Sequence, residues 1–384
     1  MNPELASFEL CTGCTACASA CPVGCIKMKP DQRGFLRPEI DRGKCIHCLK
    51  CQNVCPVKTP LPLPEQETRA YAAKSLDEYN RRSSSSGGVF FELAKLIIQK
   101  GGFVWGVRYD GSFSAEYACA ETMEQAEAFH GAKYTQGDPS AAFQQVKEQL
   151  SDGKPVLFSG LPCQVAGLRS YLGKYDDKLI CVDNVCHSVP SPLFWSRYLQ
   201  YRSKMNGHGE SPIFVNLRSK ETGWSRYRYS VQIGFPQGSY SAVSSSDPFM
   251  KLFTGGCISR DSCGNCRFKG VDRHSDLTLG DCWGVWDFDP EFDDDKGVSL
   301  ILSHSRRGQQ MINELAESCR LRQIPMEAGL KKNPAVTKAS VPSPKREAVQ
   351  KLLLQSNDFD AAVTLLQQKT LLDKVKSAAK RLIK

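Results

Sequence analysis

Two cysteine runs of identical spacing, CTGCTACASACP from Cys11 and CIHCLKCQNVCP from Cys45, constrain residues 1–62 more than any other feature of the chain. Each reads C-x2-C-x2-C-x3-C-P. In that pattern the first three cysteines wrap one corner of an iron–sulfur cubane, while the fourth, followed by proline, swings away to a second one. Cys11, Cys14, Cys17 and Cys55 are thus expected to hold one [4Fe-4S] cluster, and Cys45, Cys48, Cys51 and Cys21 the other. Two-residue spacings also suit zinc, but duplication of the full four-cysteine run points to iron–sulfur. Cys25 is surplus to both sets and reads as a packed thiol.

Residues 1–62 resemble a bacterial two-cluster ferredoxin, a module that moves single electrons at a potential set by hydrogen bonds and exposure. The chain carries 18 cysteines in 384 residues, below the density of a disulfide scaffold and differently spaced. Its formal charge of +9 suggests nucleic acid. Each thiolate-held cluster, however, carries about −2, so three clusters would leave roughly +3, and nucleic acid is not an expected partner. No apolar run reaches the length of a spanning helix, and the opening MNPELASFEL lacks signal-peptide character, so the expected location is cytoplasmic.

The fold class expected is mixed α+β and α/β. The ferredoxin-like domain (1–62) is followed by a flavin-binding mixed α/β domain in two parts (63–150 and 151–330) and a basic helical tail (331–384). After the proline-broken LPLPEQE, SSSSGG precedes Val89, Leu93, Leu96 and Ile97 at helical spacing, and a strand-like FVWGV follows. A Ser/Gly turn opening a helix offers free N–H groups and hydroxyls to a phosphate; a plain capped helix is the alternative. From residue 154, KPVLFSG, LPCQVAGLRSYLGK and KLICVDNVCHSVPSP read as a parallel β-α-β unit, which sets Cys163 and Cys186 just past the carboxyl ends of neighbouring strands, where ligands of open α/β sheets bind. The helix start should lower the Cys163 pKa. With Cys263 and Cys266 of SCGNC these cysteines form either a third [4Fe-4S] site or a set of buried thiols.

The segments SSSSGGVF, GAKYTQG, LFSGLPCQVAGLRSYL, VDNVCHSVPSP, SKETGW, SCGNCRFKGVDRHSDLTLGDCWG and KGVSL, in this order, resemble the coenzyme F420 hydrogenase/dehydrogenase β-subunit family, and more closely its bacterial members with a fused ferredoxin domain, many of them associated with surface-polysaccharide biosynthesis. The resemblance implies an FAD-dependent iron–sulfur oxidoreductase. Electrons would come from a low-potential donor such as ferredoxin and leave as hydride to a small-molecule or glycan-linked substrate. It implies flavin contacts at Ser85, Ser86, Gly87, Gly88, Lys133, Tyr134 and Gln136, and third-cluster ligands at Cys163, Cys186, Cys263 and Cys266. Asp276 and Asp281 hold either the flavin or the strand turn, and His187 is either a proton donor to substrate or a structural histidine. Ser188, Gly137 and Cys282 depart from the family's motifs, and Cys257, near the third set, is a candidate to substitute for one of its ligands.

Two alternatives stand beside this reading: a subunit that reduces or oxidises coenzyme F420 within a hydrogenase or dehydrogenase, and an electron carrier without a substrate pocket. A homo-oligomer is compatible with each. YRYSVQIGF followed by PQG reads as a hairpin whose Tyr227, Tyr229, Val231, Ile233 and Phe235 alternate onto a core face. In the tail, Leu371, Val375, Ala378 and Leu382 share a helical face amid six lysines and arginines. Such a helix can dock on its own domain or lie on an anionic membrane surface.

Overall fold

The computed structural model describes residues 3–63, 67–173 and 176–368. The two cysteine runs fold into the same backbone twice. Gly13 (φ 61°) and Thr15 (φ 70°) turn left-handed in the first run, His47 (φ 56°) and Leu49 (φ 58°) at the matching places in the second, and each pair leads into a single helical turn, Ala16–Ser19 or Lys50–Asn53. The left-handed steps fold the thiols of one run toward a common point. Between the runs, strands Ile26–Pro30 and Leu36–Ile40 pair antiparallel.

The rest of the chain is organised by an eight-stranded mixed sheet, in spatial order Cys319–Ile324, Arg69–Ser75, Ser299–Ser303, Leu277–Asp281, Leu179–Asn184, Val156–Gly160, Phe103–Tyr109 and Ala115–Ala120. The four strands from Leu277–Asp281 to Phe103–Tyr109 are mutually parallel, and the flanking strands are antiparallel. Strands from both sides of residue 150 share this sheet. Its central strands are apolar on both faces because helices cover both. Leu157 and Val182 pack with Leu93, Ile97, Ile312 and Leu315, from helices Val89–Gln99 and Arg306–Leu315. Their neighbours Phe158 and Cys181 point the other way, into Phe143, Val146, Val165 and Leu168 of helices Ser140–Ser151 and Pro162–Leu172. Each such fully buried side chain contributes about 1.5–3 kcal/mol.

Cys14 and Ala16 join this second layer, so the ferredoxin module sits on helix Pro162–Leu172. The approach depends on Gly167: a Cβ there would stand 3.1 Å from Cys14 Sγ. An alanine already crowds the thiolate side of the joint, and any larger residue would force the module off the helix.

A second core joins helix Pro192–Asn206, the three-stranded antiparallel sheet of Phe214–Ser219, Ser230–Gly234 and Ser239–Val243, and helices Pro248–Thr254, Arg346–Ser356 and Phe359–Gln367. The hairpin occurs where PQG places it, but its strand begins at Ser230 rather than Tyr227. Left-handed φ at Arg226 (55°) and Tyr227 (64°) breaks the alternation. Val231, Ile233 and Phe235 therefore enter the core while Tyr227 and Tyr229 turn to Trp283. Residues 369–384, with the basic face of Leu371, Val375, Ala378 and Leu382, lie outside the described residues. Among the described residues no helix is long and apolar enough to cross a membrane.

Candidate functional site

The ferredoxin cysteines sort spatially as their spacing requires. One cavity is lined by Cys11, Cys14, Cys17 and Cys55, another by Cys21, Cys45, Cys48 and Cys51. In each, the fourth cysteine has come from the other run. Among the described residues no set of three or more Cys, His, Asp or Glu closes around a single metal ion, and four-thiol cavities of this kind suit a cubane. The surrounding donors fit one too. Thr12 Oγ1, Thr15 Oγ1 and Gln136 Nε2 are buried without a hydrogen-bond partner, and a cluster's sulfides would accept from them. Cys25 is buried and lines the second cavity, its Sγ 3.4 Å from Cys21 Sγ. Cys48 is exposed, so the second cavity opens toward solvent and the first faces inward.

Inward of the first cavity lie Cys163, Cys186, Cys263 and Cys266. Cys163 and Cys266 pack on one patch with Cys55 around Ala166, Val57 and Phe268. Cys186 is within electrostatic reach of Cys263 and Cys266, and Cys163 of Cys186, Cys266 and Cys14. Burial pushes the Cys186 thiol up to about 12 and the Cys163 thiol well above its ordinary value. This reverses the expectation of a helix-lowered Cys163, because desolvation outweighs a partial dipole charge. Metal would have to displace those protons, so assembly at this set releases acid. Cys257 points elsewhere, fully buried in the second core with Sγ near Gly255 O at 3.8 Å.

Of the candidate flavin residues, the structure gathers three around an arginine that motif reading passed over, and a fourth against a neighbouring lysine. Arg218 donates to Asp281 Oδ1 (2.8 Å), Tyr134 Oη (3.2 Å) and Ser85 O (3.4 Å). Lys220 Nζ holds Ser86 O at 2.5 Å. Arg218 lies over the Tyr229 ring at 3.9 Å and near Trp283 at 5.3 Å, and Trp283 stacks on Trp224 at 4.6 Å. Both cations sit in the NLRSKETGW stretch, Arg218 just before the SKETGW motif already noticed and Lys220 within it. The Ser/Gly turn is pinned rather than flexible: Gly87 N–H donates to Ser299 Oγ (2.9 Å), and Gly88 (φ 85°) begins helix Val89–Gln99. Lys133 lies 5.9 Å from the Tyr109 ring, and Tyr109 Oη and Arg218 Nε are buried without partners.

Gln136 and Asp276 lie elsewhere. Gln136 Oε1 accepts from Leu36 N–H at 3.0 Å, which ties the sheet domain to the ferredoxin module. Asp276 is fully buried under the sheet and accepts from Arg169 Nη2 (2.8 Å), Cys181 N (2.8 Å) and Ser305 Oγ (2.7 Å). His187 meets Ser340 Oγ at 3.4 Å. Burial and the Lys269 charge hold its pKa below the ordinary value, so it is neutral. It touches Phe253 edge-on at 5.3 Å, and Phe253 touches Tyr134 at 5.1 Å, so one ring separates the Cys186 side from the Arg218 side.

Residues 153–328 match the family model for the C terminus of the coenzyme F420 hydrogenase/dehydrogenase beta subunit, and residues 10–59 that of the 4Fe-4S dicluster domain. Over residues 153–328 the chain is similar to the coenzyme F420 hydrogenase/dehydrogenase β-subunit family. A subunit of the F420H2 dehydrogenase of Methanosarcina mazei is 25% identical over 203 residues, 48% of this chain and 57% of that protein. An uncharacterized polyferredoxin-like protein of Methanocaldococcus jannaschii is 36% identical over 63 residues, 14% of this chain and 38% of that one. The chain thus spans about half the length of the curated relatives it matches. A chain of the F420-reducing [NiFe] hydrogenase complex from Methanosarcina barkeri superposes with a TM-score of 0.46 at 14% identity, covering 80% of this chain and 91% of that chain. The chain thus carries an iron–sulfur electron-transfer module and is related to an oxidoreductase-like family of hydrogenase and dehydrogenase β subunits.

Lys133 and Lys220 are held only by backbone carbonyls: Ala128, His130 and Gly131 for the first, Arg81, Ser86 and Lys296 for the second. Burial lowers each to about 7. Between that value and about 10.5 the unfolded chain binds protons that the folded chain does not, so these groups make stability rise with pH across that window. The stability of the parent protein relative to Lys220→Met is therefore expected to increase from pH 7 to pH 9 in denaturant titrations. A pH-independent difference would mean that Lys220 keeps its proton.

Proposed function

We propose that this protein passes electrons between its ferredoxin clusters and a hydride-carrying deazaflavin of the coenzyme F420 type, through a third [4Fe-4S] cluster and a bound FAD. The observation that carries the reading is the patch shared by Cys55, Cys163 and Cys266: a ligand of the inner ferredoxin site packs with two of the third set. Cys163, Cys186, Cys263 and Cys266 would hold that cluster. The second ferredoxin site, with Cys48 exposed, is the proposed meeting point for an external partner, a donor such as ferredoxin or another component of a hydrogenase-like assembly.

FAD, when bound, supplies the exchange between two electrons taken as hydride and single electrons given to a cluster. The residues supporting its placement are Ser85, Ser86, Gly87 and Gly88 in the pinned turn, with Lys133, Tyr134 and Asp281. Arg218 and Lys220 would neutralise phosphate, with Arg218 held in place by Asp281. Trp283 and Tyr229 offer flat faces to a ring. Neutral His187, one ring away, orients the Cys186 side rather than donating a proton. No feature of the site favours a glycan-linked acceptor, and the relative named for F420H2 favours the deazaflavin.

The test is direct. Anaerobic protein reconstituted with iron, sulfide and FAD and reduced by dithionite, with excess reductant removed, should bleach the deazaflavin absorbance of F420 while its own flavin reoxidises. Flavin that reoxidises with no loss of that absorbance would reject F420 as partner. Protein that binds no flavin under these conditions would leave a carrier module.

A further inference from the structure

Arg260 is 3% exposed, and its Nε is buried without a hydrogen-bond partner. No described residue forms a side-chain hydrogen bond or ion pair with its guanidinium. That is costly for a buried cation, which ordinarily persists only when a counter-charge faces it. The nearby carboxylates are already engaged: Asp261 takes Arg33 (2.9 Å), Arg37 (3.3 Å) and Arg346 (2.8 Å), and Asp31 takes Arg37 (3.3 Å). The joint between the ferredoxin module and the sheet domain thus holds Arg33, Arg37, Arg260 and Arg346 against two carboxylates.

Arg260 is placed between two cysteine sets. Its Nη1 lies 3.7 Å from where a Cβ on Gly13 would stand, inside the loop Cys11–Cys14, and on the other side its backbone carbonyl accepts from Cys263 N–H at 3.2 Å. Gly13 itself is obligatory, since its φ is 61° and a Cβ would meet Gln136 Nε2 at 2.6 Å and Leu36 O at 2.7 Å. Glycine at this position therefore leaves room for the Gln136 amide and the Arg260 guanidinium beside the loop.

We propose that Arg260 is the fixed counter-charge shared by the inner ferredoxin cluster and the third cluster, and that it sets the reduction potentials of both. This rests on the third-cluster reading for one of its two targets only. Each cluster carries about −2 when oxidised and gains one further negative charge on accepting an electron. A guanidinium held nearby in a low-dielectric joint stabilises the reduced form and its N–H groups can donate to cluster sulfides, a recognised lever on potential. Both potentials are thereby raised together, so the charge that stabilises one reduced cluster adds no large step in free energy between the two. The residue positions and tunes; it moves no atoms.

The experiment is an anaerobic redox titration of the holoprotein, followed by electron paramagnetic resonance, for the parent, Arg260→Gln and Arg260→Lys, each with its iron content measured. Arg260→Gln keeps amide donors and loses the charge. It should lower the reduction equilibrium constant of the inner and third clusters at least about tenfold, 59 mV for a one-electron couple, and leave the Cys21/Cys45/Cys48/Cys51 cluster unshifted. Arg260→Lys should restore most of the parent potential. Unchanged potentials at full iron occupancy in Arg260→Gln, or an equal shift of all clusters, would overturn the proposal. A parent with about eight irons per chain would remove the third cluster, and the shift of the inner ferredoxin cluster would still decide the role of Arg260.

Discussion

Cys163→Ser is expected to lower the iron content of anaerobically reconstituted protein from about twelve to about eight atoms per chain, with both ferredoxin signals intact. Cys163 follows the strand Val156–Gly160 and shares with Cys266 and Cys55 the patch around Val57, Ala166 and Phe268, so its loss removes a corner of the third set, and Cys163 itself lines neither ferredoxin cavity. Flavin bound to the variant should no longer be reduced through the ferredoxin clusters, though dithionite acting directly can still reduce it. Cys257→Ser, in the second core, should keep about twelve irons and lose only packing. An equal iron loss in both variants would mean that cysteine content, not this constellation, governs assembly.

Asp276→Ala is expected to destabilise the holoprotein by about 3–5 kcal/mol in anaerobic denaturant titrations, the usual cost of removing one partner of a buried pair. The carboxylate is 0% exposed and anchors Arg169, the Cys181 amide and Ser305 at once, joining helix Pro162–Leu172 to the central strand and to helix Arg306–Leu315. Asp276→Asn retains an acceptor and should lose less. Flavin affinity of the folded Asp276→Asn protein should match the parent, because the Arg218 constellation does not include this residue. A variant of parental stability that loses flavin would return Asp276 to the cofactor.

How much of this was legible beforehand depended on whether the signal was covalent spacing or tertiary placement. The crossed ferredoxin ligand sets followed from spacing alone, because the wrap of C-x2-C-x2-C is a local backbone property, repeated at Gly13 and His47. The β-α-β unit around Cys163 was readable from VLFSG and LICVDN, each a short apolar run flanked by turn residues. The partition among the polar residues was less legible. Asp276 immediately precedes strand Leu277–Asp281 and Asp281 ends it, yet one meets the buried Arg169 and the other Arg218, a difference made by what packs at each end. Gln136 followed Tyr134 in the same motif and turned to the other domain, since residues two apart in a loop obey no fixed periodicity. Arg218, in strand Phe214–Ser219, and Lys220, just past its end, were overlooked because basic residues there resemble a solvated edge until the opposing carbonyls and aromatic rings are seen. The Cys163 pKa was misjudged for the same reason: burial cannot be read from a helix start.

The account's central claim is a continuous chain of one-electron sites from the exposed second cavity, through the inner ferredoxin set, to a third set beside the flavin. Iron, sulfide and flavin stoichiometry on protein purified without oxygen tests it most directly. The account predicts about twelve irons, about twelve sulfides and about one FAD per chain. About eight irons with bound flavin would contradict it and leave Cys163, Cys186, Cys263 and Cys266 as packed thiols.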